Sequence, residues 1–219
     1  MKKALVTISL ISLAIVLSSC FNSAQKHNDL GVRYTQEGKL DFALNEFSKA
    51  QELDPNNPAI LCNMAAAYAR KGDYLRAKDR YQEALLINPM DVKVLRGLGG
   101  LAEQQGQYDV ATGYFEKAVE IPPVDPDLRI DLGNLYQITK QYRKAIPQFE
   151  LVLSENPKNL DALLGAAKSY EALGNTAIAL EYYKQALHVN PNVPEVRAAI
   201  MRLSNGTGAS SEASENARQ

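Results

Sequence analysis

The stretch AQKHNDLGVRYTQEGKLDFALNEFSKAQELDPNN, residues 24–57, decides the fold, because the next four segments of the chain repeat its plan. Leu30 and Tyr34 lie four residues apart, so both fall on one face of an α-helix. Ala43 and Phe47 have the same spacing and form a stripe on a second helix. The stretch therefore predicts a pair of amphipathic helices.

Turn residues separate the two helices and end the second one. Gly38 stands at the end of the first helix, where a residue with positive φ is often needed. Asp54-Pro55 ends the second helix, because proline disfavours helical geometry in the residue before it. The small Gly31 lets the two helices approach closely. Each of the first four copies closes on a good N-cap for the next helix, namely Asn57, Asp91, Asp125 and Asn159.

The copies follow one another every 34 residues without an insertion. They share a turn position (Gly38, Gly72, Gly106, Lys140, Gly174), an alanine (Ala43, Ala77, Ala111, Ala145, Ala179) and an aromatic residue (Phe47, Tyr81, Phe115, Phe149, Tyr183). This fixed period resembles the tetratricopeptide repeat (TPR) family, whose helix–turn–helix units stack into a solenoid.

The resemblance implies an all-α, right-handed solenoid of five 34-residue repeats with a helix capping its end. The expected repeats and flanking segments are 24–57, 58–91, 92–125, 126–159, 160–193, a capping helix over 194–204 and a disordered tail over 205–219. In the capping helix, Val196, Ile200 and Leu203 share one face, and Arg197 and Arg202 are expected on the other.

Repeat four departs from the pattern twice. Lys140 replaces the turn glycine, and Pro147 falls inside the second helix, where it removes one hydrogen bond. Two other residues that stand out are assigned structural roles. His27 is interpreted as a packing or capping residue, and Cys62 as a small apolar side chain that packs in the fold. The tyrosines at the eleventh repeat position are predicted to be core: Tyr34, Tyr68, Tyr136 and Tyr170.

The first residues precede the repeats and read as an export signal. A basic start and a short apolar run end in Leu17-Ser18-Ser19-Cys20, which resembles the bacterial lipobox. The resemblance implies a signal peptide over 1–19, diacylglycerol on Cys20, acylation of its new amine and a tether over 20–23. An ordinary signal peptide with a chance cysteine is the alternative. Because Phe21 rather than aspartate follows the cysteine, the expected location is the periplasmic face of the outer membrane.

The TPR resemblance also implies a ligand-binding surface. In this family the first helices line a concave groove that suits an extended peptide or an amphipathic helix. Transferring the family's contact positions to this sequence gives Asn28, Asn63, Ala66, Arg70, Lys93, Arg96, Gly100, Asp127, Asn134 and Lys168. The carboxylate clamp of chaperone-tail binders is incomplete, because Asn63 and Lys93 match it but Asn28, Val32 and Gly97 do not.

The sequence contains no motif that supports an enzymatic function. Gly97-Leu98-Gly99 with Ala102 fits a dinucleotide fingerprint formally, but no strand precedes it. Asp127 and Asp131 share a helix face without a histidine beside them. No catalytic residue, metal site or cofactor other than the lipid on Cys20 is expected, and a net charge of −1 argues against nucleic acid as a partner.

The expected function is therefore a membrane-anchored protein-interaction scaffold. Its overall layout resembles lipoproteins that help type IV or tight-adherence pili assemble, with a secretin or a pilus component as partner in the groove. An adaptor that docks peptidoglycan enzymes or other envelope-assembly factors is the alternative. The sequence leaves the oligomeric state open.

Overall fold

A computed structural model of the chain describes the backbone of residues 23–216 and the side chains of residues 23–205. The chain divides into two compact units between Gln107 and Tyr108. This division falls inside the third predicted repeat. The predicted signal peptide, Cys20 and all of the tether except Ser23 lie outside the described residues.

The described residues form α-helices joined by short turns and contain no β-strand. The helices are α1 (23–36), α2 (Leu40–Leu53), α3 (Pro58–Lys71), α4 (Tyr74–Ile87), α5 (Val92–Gln104), α6 (Tyr108–Val119), α7 (Pro126–Ile138), α8 (Tyr142–Glu155), α9 (Leu160–Ala172), α10 (Thr176–Val189) and α11 (Pro194–Asn216). Within this part of the chain, no helix is long and apolar enough to cross a membrane. The predicted all-α fold of packed helix pairs is confirmed.

Each predicted N-cap residue caps the helix that follows it. The Asp91 carboxylate accepts hydrogen bonds from the amides of Lys93 and Val94, at 3.0 and 3.2 Å. The Asn57, Asp125 and Asn159 side chains accept a backbone amide in the same way. These bonds satisfy amides that have no partner inside the helix.

Aromatic side chains of the second helices fill space that glycines leave open. The buried Phe149 ring of α8 packs against Gly133 of α7 and Gly165 of α9. A Cβ atom added at Gly165 would lie 2.4 Å from the ring, closer than atoms can approach. In the other unit, Phe47 covers Gly31 in the same manner. The repeat period thus places large and small residues opposite one another.

The turns between paired helices use a left-handed backbone conformation. The four turn glycines have φ angles of 70–85°, namely Gly38, Gly72, Gly106 and Gly174. Lys140 occupies the same position in repeat four and adopts φ 58° in spite of its side chain. This conformation brings the Cβ atom of an L-residue too close to the following carbonyl oxygen.

Replacing Lys140 with glycine is expected to raise the free energy of unfolding by about 1 kcal/mol, because relief of left-handed strain exceeds the added chain entropy of glycine. Urea unfolding followed by circular dichroism measures the change. Lys184→Gly, on an exposed helical position of α10, is the control and should lower stability by about 1 kcal/mol. A lower free energy of unfolding in Lys140→Gly would contradict the presence of backbone strain at Lys140.

Pro147 does not end its helix. It is the sixth residue of α8, which continues to Glu155, and its ring is exposed to solvent. The lost amide hydrogen bond therefore lies on the solvent side, where water can satisfy the unpaired carbonyl. The early position of the proline limits its effect on the helix.

The tyrosines and the end of the capping helix differ from what the sequence predicts. Three of the four repeat-position tyrosines are half-buried rather than core, and Tyr136 alone is buried. A tyrosine hydroxyl needs a partner, and that of Tyr170 donates to Glu150 at 2.8 Å. The capping helix also continues past Ser204 to Asn216.

Candidate functional site

Two predicted groove residues of the N-terminal unit bind each other. The Asn63 amide of α3 donates to the Asn28 side-chain oxygen of α1 at 2.9 Å, and Asn28 is only 8% exposed. Arg70 likewise donates to the Thr35 carbonyl at 2.7 Å. These side chains link consecutive repeats, and the contact predicted between Asn28 and a ligand stays a prediction. Asn28 and Asn63 are 35 residues apart, in consecutive repeats, so the sequence of a single repeat does not predict the bond between them.

The other predicted residues of this unit lie on neighbouring first helices. Lys93 of α5 is exposed, whereas Arg96 of the same helix and Ala66 of α3 are half-buried. Nothing lies within 4 Å of where a Cβ atom would stand at Gly100. The surface formed by α3 and α5 is thus open and carries positive charge.

Cys62 lies on this surface and is a free thiol. Burial, followed by the nearby Asp91 carboxylate, raises the pKa of Cys62 to about 11, while Lys93 opposes the change. The thiol is therefore almost entirely protonated at neutral pH, in agreement with its predicted packing role.

At pH 8, alkylation of Cys62 by iodoacetamide is expected to be on the order of a hundredfold slower than that of free cysteine, because the reactive thiolate is scarce. The rate should rise about tenfold for each pH unit up to about pH 11, near the raised pKa. Mass spectrometry of quenched samples measures it, and urea-unfolded protein is the control. Equal rates in folded and unfolded protein would contradict the protection.

In the C-terminal unit, the predicted residues Asp127, Asn134 and Lys168 are all exposed. Asp127 is the second residue of α7, and its amide donates to the capping Asp125. The Gln137 amide crosses from α7 to α9 and donates to the Gly165 carbonyl and the Ser169 hydroxyl, both at 2.7 Å. This bridge fixes the spacing of the two first helices. Of the three predicted residues, only Lys168 lines the pocket described next.

A pocket of about 450 Å³ lies between α9 and α11. Its apolar lining consists of Leu164, Ala172, Val196 and Ala199, and its polar lining of Lys168, Glu171, Tyr183, Glu195 and Arg202. We call it the α9–α11 pocket. Sequence reasoning identified Lys168 but not the contribution of the capping helix.

The Glu171 carboxylate binds two other side chains that line this pocket. Arg202 of α11 pairs with one carboxylate oxygen at 2.5 Å, and the Tyr183 hydroxyl donates to the other at 2.8 Å. Burial and this hydrogen bond to Glu171 raise the pKa of Tyr183 well above its usual range. The expectation that Arg202 lies on the far side of the capping helix is therefore wrong. The helical spacing that places Val196 on the core leaves Arg202 at the margin of the same face.

Among the described residues, no group of three or more histidine, cysteine, aspartate or glutamate side chains could hold a metal ion. The α9–α11 pocket instead combines an apolar floor with charged groups of both signs at its rim. Such a pocket accepts an apolar side chain while polar groups orient the chain that carries it. This arrangement suits recognition of a polypeptide.

Three family models match the chain. One is described as TPR repeat and matches residues 31–72, and two described as tetratricopeptide repeat match residues 62–126 and 138–203. Together they cover most of the sequence, and the chain belongs to the TPR family. Proteins of this family are protein-interaction scaffolds and generally lack catalysis.

Solved structures of similar fold include three of interest. Pseudomonas aeruginosa pilF is 20% identical, with a TM-score of 0.74 and 90% of each chain covered. YrrB, described as a TPR protein with an unusual peptide-binding site, is 25% identical, with a TM-score of 0.67 over 79% of this chain and 89% of its own. A MamA segment from Desulfovibrio magneticus RS-1 is 20% identical, with a TM-score of 0.68 over 78% of this chain and 97% of its own.

Proposed function

We propose that this protein is a lipid-anchored scaffold of the bacterial cell envelope that binds an extended segment of a partner protein in the α9–α11 pocket. The observation that carries the proposal is the pocket itself, in which Leu164, Val196 and Ala199 form an apolar floor beside Lys168 and Arg202. An apolar side chain of the partner enters the pocket, and the partner's backbone or polar neighbours meet the rim.

The pocket is lined by charged side chains of both signs. Lys168 and Arg202 are cationic, and Glu171 and Glu195 are anionic. Both oxygens of Glu171 already bind within the protein, to Arg202 and Tyr183, so Lys168 and Glu195 are the charged groups that a ligand would meet. An apolar residue flanked by polar groups of both signs is the ligand that matches this lining.

The anchor is proposed from Leu17-Ser18-Ser19-Cys20, which has the residue types of a lipobox. Lipid on Cys20 and the Phe21 that follows it favour the periplasmic face of the outer membrane. Replacing Cys20 with serine leaves a folded protein that no longer sediments with membranes. A variant that still sediments in carbonate-washed membranes would contradict the anchor.

We propose that the scaffold assists the assembly of a pilus or a secretion system. Its partner is then a secretin or a pilus component. This proposal is supported by the order of export signal, lipobox and repeats along the chain. The similarity to pilF extends over 90% of each chain, and at 20% identity it shows the fold alone. Docking of peptidoglycan enzymes is the alternative function.

Crosslinking in intact cells, followed by mass spectrometry of the lipidated protein's partners, tests the proposal. In Ala172→Trp, an exposed lining residue is enlarged so that its ring fills the pocket, and the partner should be lost. Ala177→Trp, exposed on α10 outside the pocket, should retain it. A secretin or pilin lost only from Ala172→Trp supports the pilus function, and a peptidoglycan synthase with the same behaviour supports the alternative. Equal recovery from both variants would contradict binding in the pocket.

A further inference from the structure

One edge of the N-terminal unit gathers the start of α1 and two inter-repeat loops. Helices joined by turns of a few residues run antiparallel, so every second connection returns to the same edge. The first described residue, Ser23, therefore lies at the edge that also carries loops 54–57 and 88–91. The packing of α2 on α3 and of α4 on α5 agrees with this topology. We call it the N-terminal edge.

Large apolar side chains stand exposed at the N-terminal edge. Leu86 at the end of α4 is 85% exposed, and Met90 in the loop that follows is 64% exposed. Ile87 and Leu53 are also exposed there. Neighbouring exposed side chains of this size mark a surface that meets something other than water.

Three polar side chains of the same edge, Asn57, Asn88 and Asp91, are engaged in hydrogen bonds. The Asn88 side chain accepts the Met90 amide at 3.3 Å, and the Asp91 carboxylate caps α5. Asn57 caps α3 and donates to Asp54 at 2.8 Å. The edge can therefore leave water at lower cost than one whose polar groups depend on solvent.

The opposite edge of the unit carries charged turns beside exposed apolar side chains. Its turns carry the ion pairs Lys39–Glu37, Lys71–Asp41 and Arg76–Asp73, whose charged groups favour contact with water. Phe42 and Leu75 are also exposed at this edge, at 61% and 73%. Apolar exposure alone therefore does not distinguish the two edges, and the position of the chain start does.

The start of the chain decides which occupant covers the apolar edge. Cys20 precedes Ser23 by three residues, which span at most about 10 Å when extended. A lipid on Cys20 therefore brings a bilayer to the N-terminal edge and not to the other one. We propose that Leu86, Ile87 and Met90, with Leu53, rest in the headgroup region of the membrane, so that the N-terminal unit stands on it in a fixed orientation. This inference rests on the proposed lipid anchor.

Site-specific fluorescence tests the orientation. Leu86→Cys and Leu75→Cys are each made in a Cys62→Ser background and labelled with an environment-sensitive dye. Leu75 is the matched control, since it is 73% exposed and lies near the other end of α4, about 16 Å away along the helix. The lipidated proteins are placed in vesicles of phosphatidylethanolamine and phosphatidylglycerol that contain spin-labelled lipid.

The expected result is blue-shifted, lipid-quenched emission at position 86 and water-like, unquenched emission at position 75. Equal emission at both positions, with mass spectrometry confirming lipid on Cys20, would overturn the orientation and leave the anchor intact. A missing lipid would overturn the anchor and the inference together. A blue shift at position 86 in the Cys20→Ser protein without vesicles would mean that a second copy covers the edge, which also overturns the inference.

Discussion

Replacing Phe149 with alanine is expected to lower the free energy of unfolding by about 3–5 kcal/mol, because the ring is fully buried and the helices around it cannot collapse into the space it leaves. The ring contacts Gly133 and Gly165, so its loss removes packing between α8 and both neighbouring first helices. Urea unfolding followed by circular dichroism measures the change.

A double-mutant cycle with Gly165→Ala tests the physical cause. Alone, Gly165→Ala destabilises the protein, since the new Cβ atom would stand 2.4 Å from the ring of Phe149. In the Phe149→Ala background the same change should be neutral or stabilising, because the ring is gone and alanine favours the helix by up to about 1 kcal/mol. Gly113→Ala on α6 meets open space and serves as the control. Additive effects of the two changes would contradict direct contact between them.

Replacing Val196 with aspartate is expected to cost about 3 kcal/mol or more, because it removes a buried apolar side chain and places a carboxylate among apolar neighbours. Val196 packs in the cluster that contains Ala167, Ala179 and Tyr183. The variant also detaches the wall that α11 supplies to the α9–α11 pocket, so partner binding should fall together with stability.

Met201→Asp is the matched control for Val196→Asp. Met201 lies on the same helix but is exposed, so a carboxylate there should change stability by at most about 0.5 kcal/mol. Urea unfolding of both variants gives the comparison. A similar effect of the two substitutions would mean that α11 does not bury one face on the repeats.

The local structure of the repeats could be predicted because the same residue types recur at the same positions in successive repeats. The caps, the turn glycines and the aromatic residue of the second helix recur at fixed positions, and the structure confirms them at Asp91, Gly72 and Phe149. What recurs is backbone geometry and side-chain volume, and both follow from residue type at a given spacing.

Parts of the candidate site could not be predicted, for two physical reasons. The bond between Asn28 and Asn63 depends on the distance between consecutive first helices, which no single repeat specifies. The pair of Arg202 with Glu171 depends on the rotation of α11 about its axis, and this helix has no second copy in the sequence. Spacing identifies the apolar face of such a helix more reliably than the side chains at its margin.

The pairing of Arg202 with Glu171 has a consequence for the lifetime of the capping helix. A ligand in the α9–α11 pocket contacts residues of α9 and α11 at once, so it binds the docked helix and not the detached one. By thermodynamic linkage, each tenfold excess of such a ligand over its dissociation constant adds about 1.4 kcal/mol to the free energy of detachment. Occupancy should therefore protect the end of the chain from proteases, so that partner-free copies are degraded first.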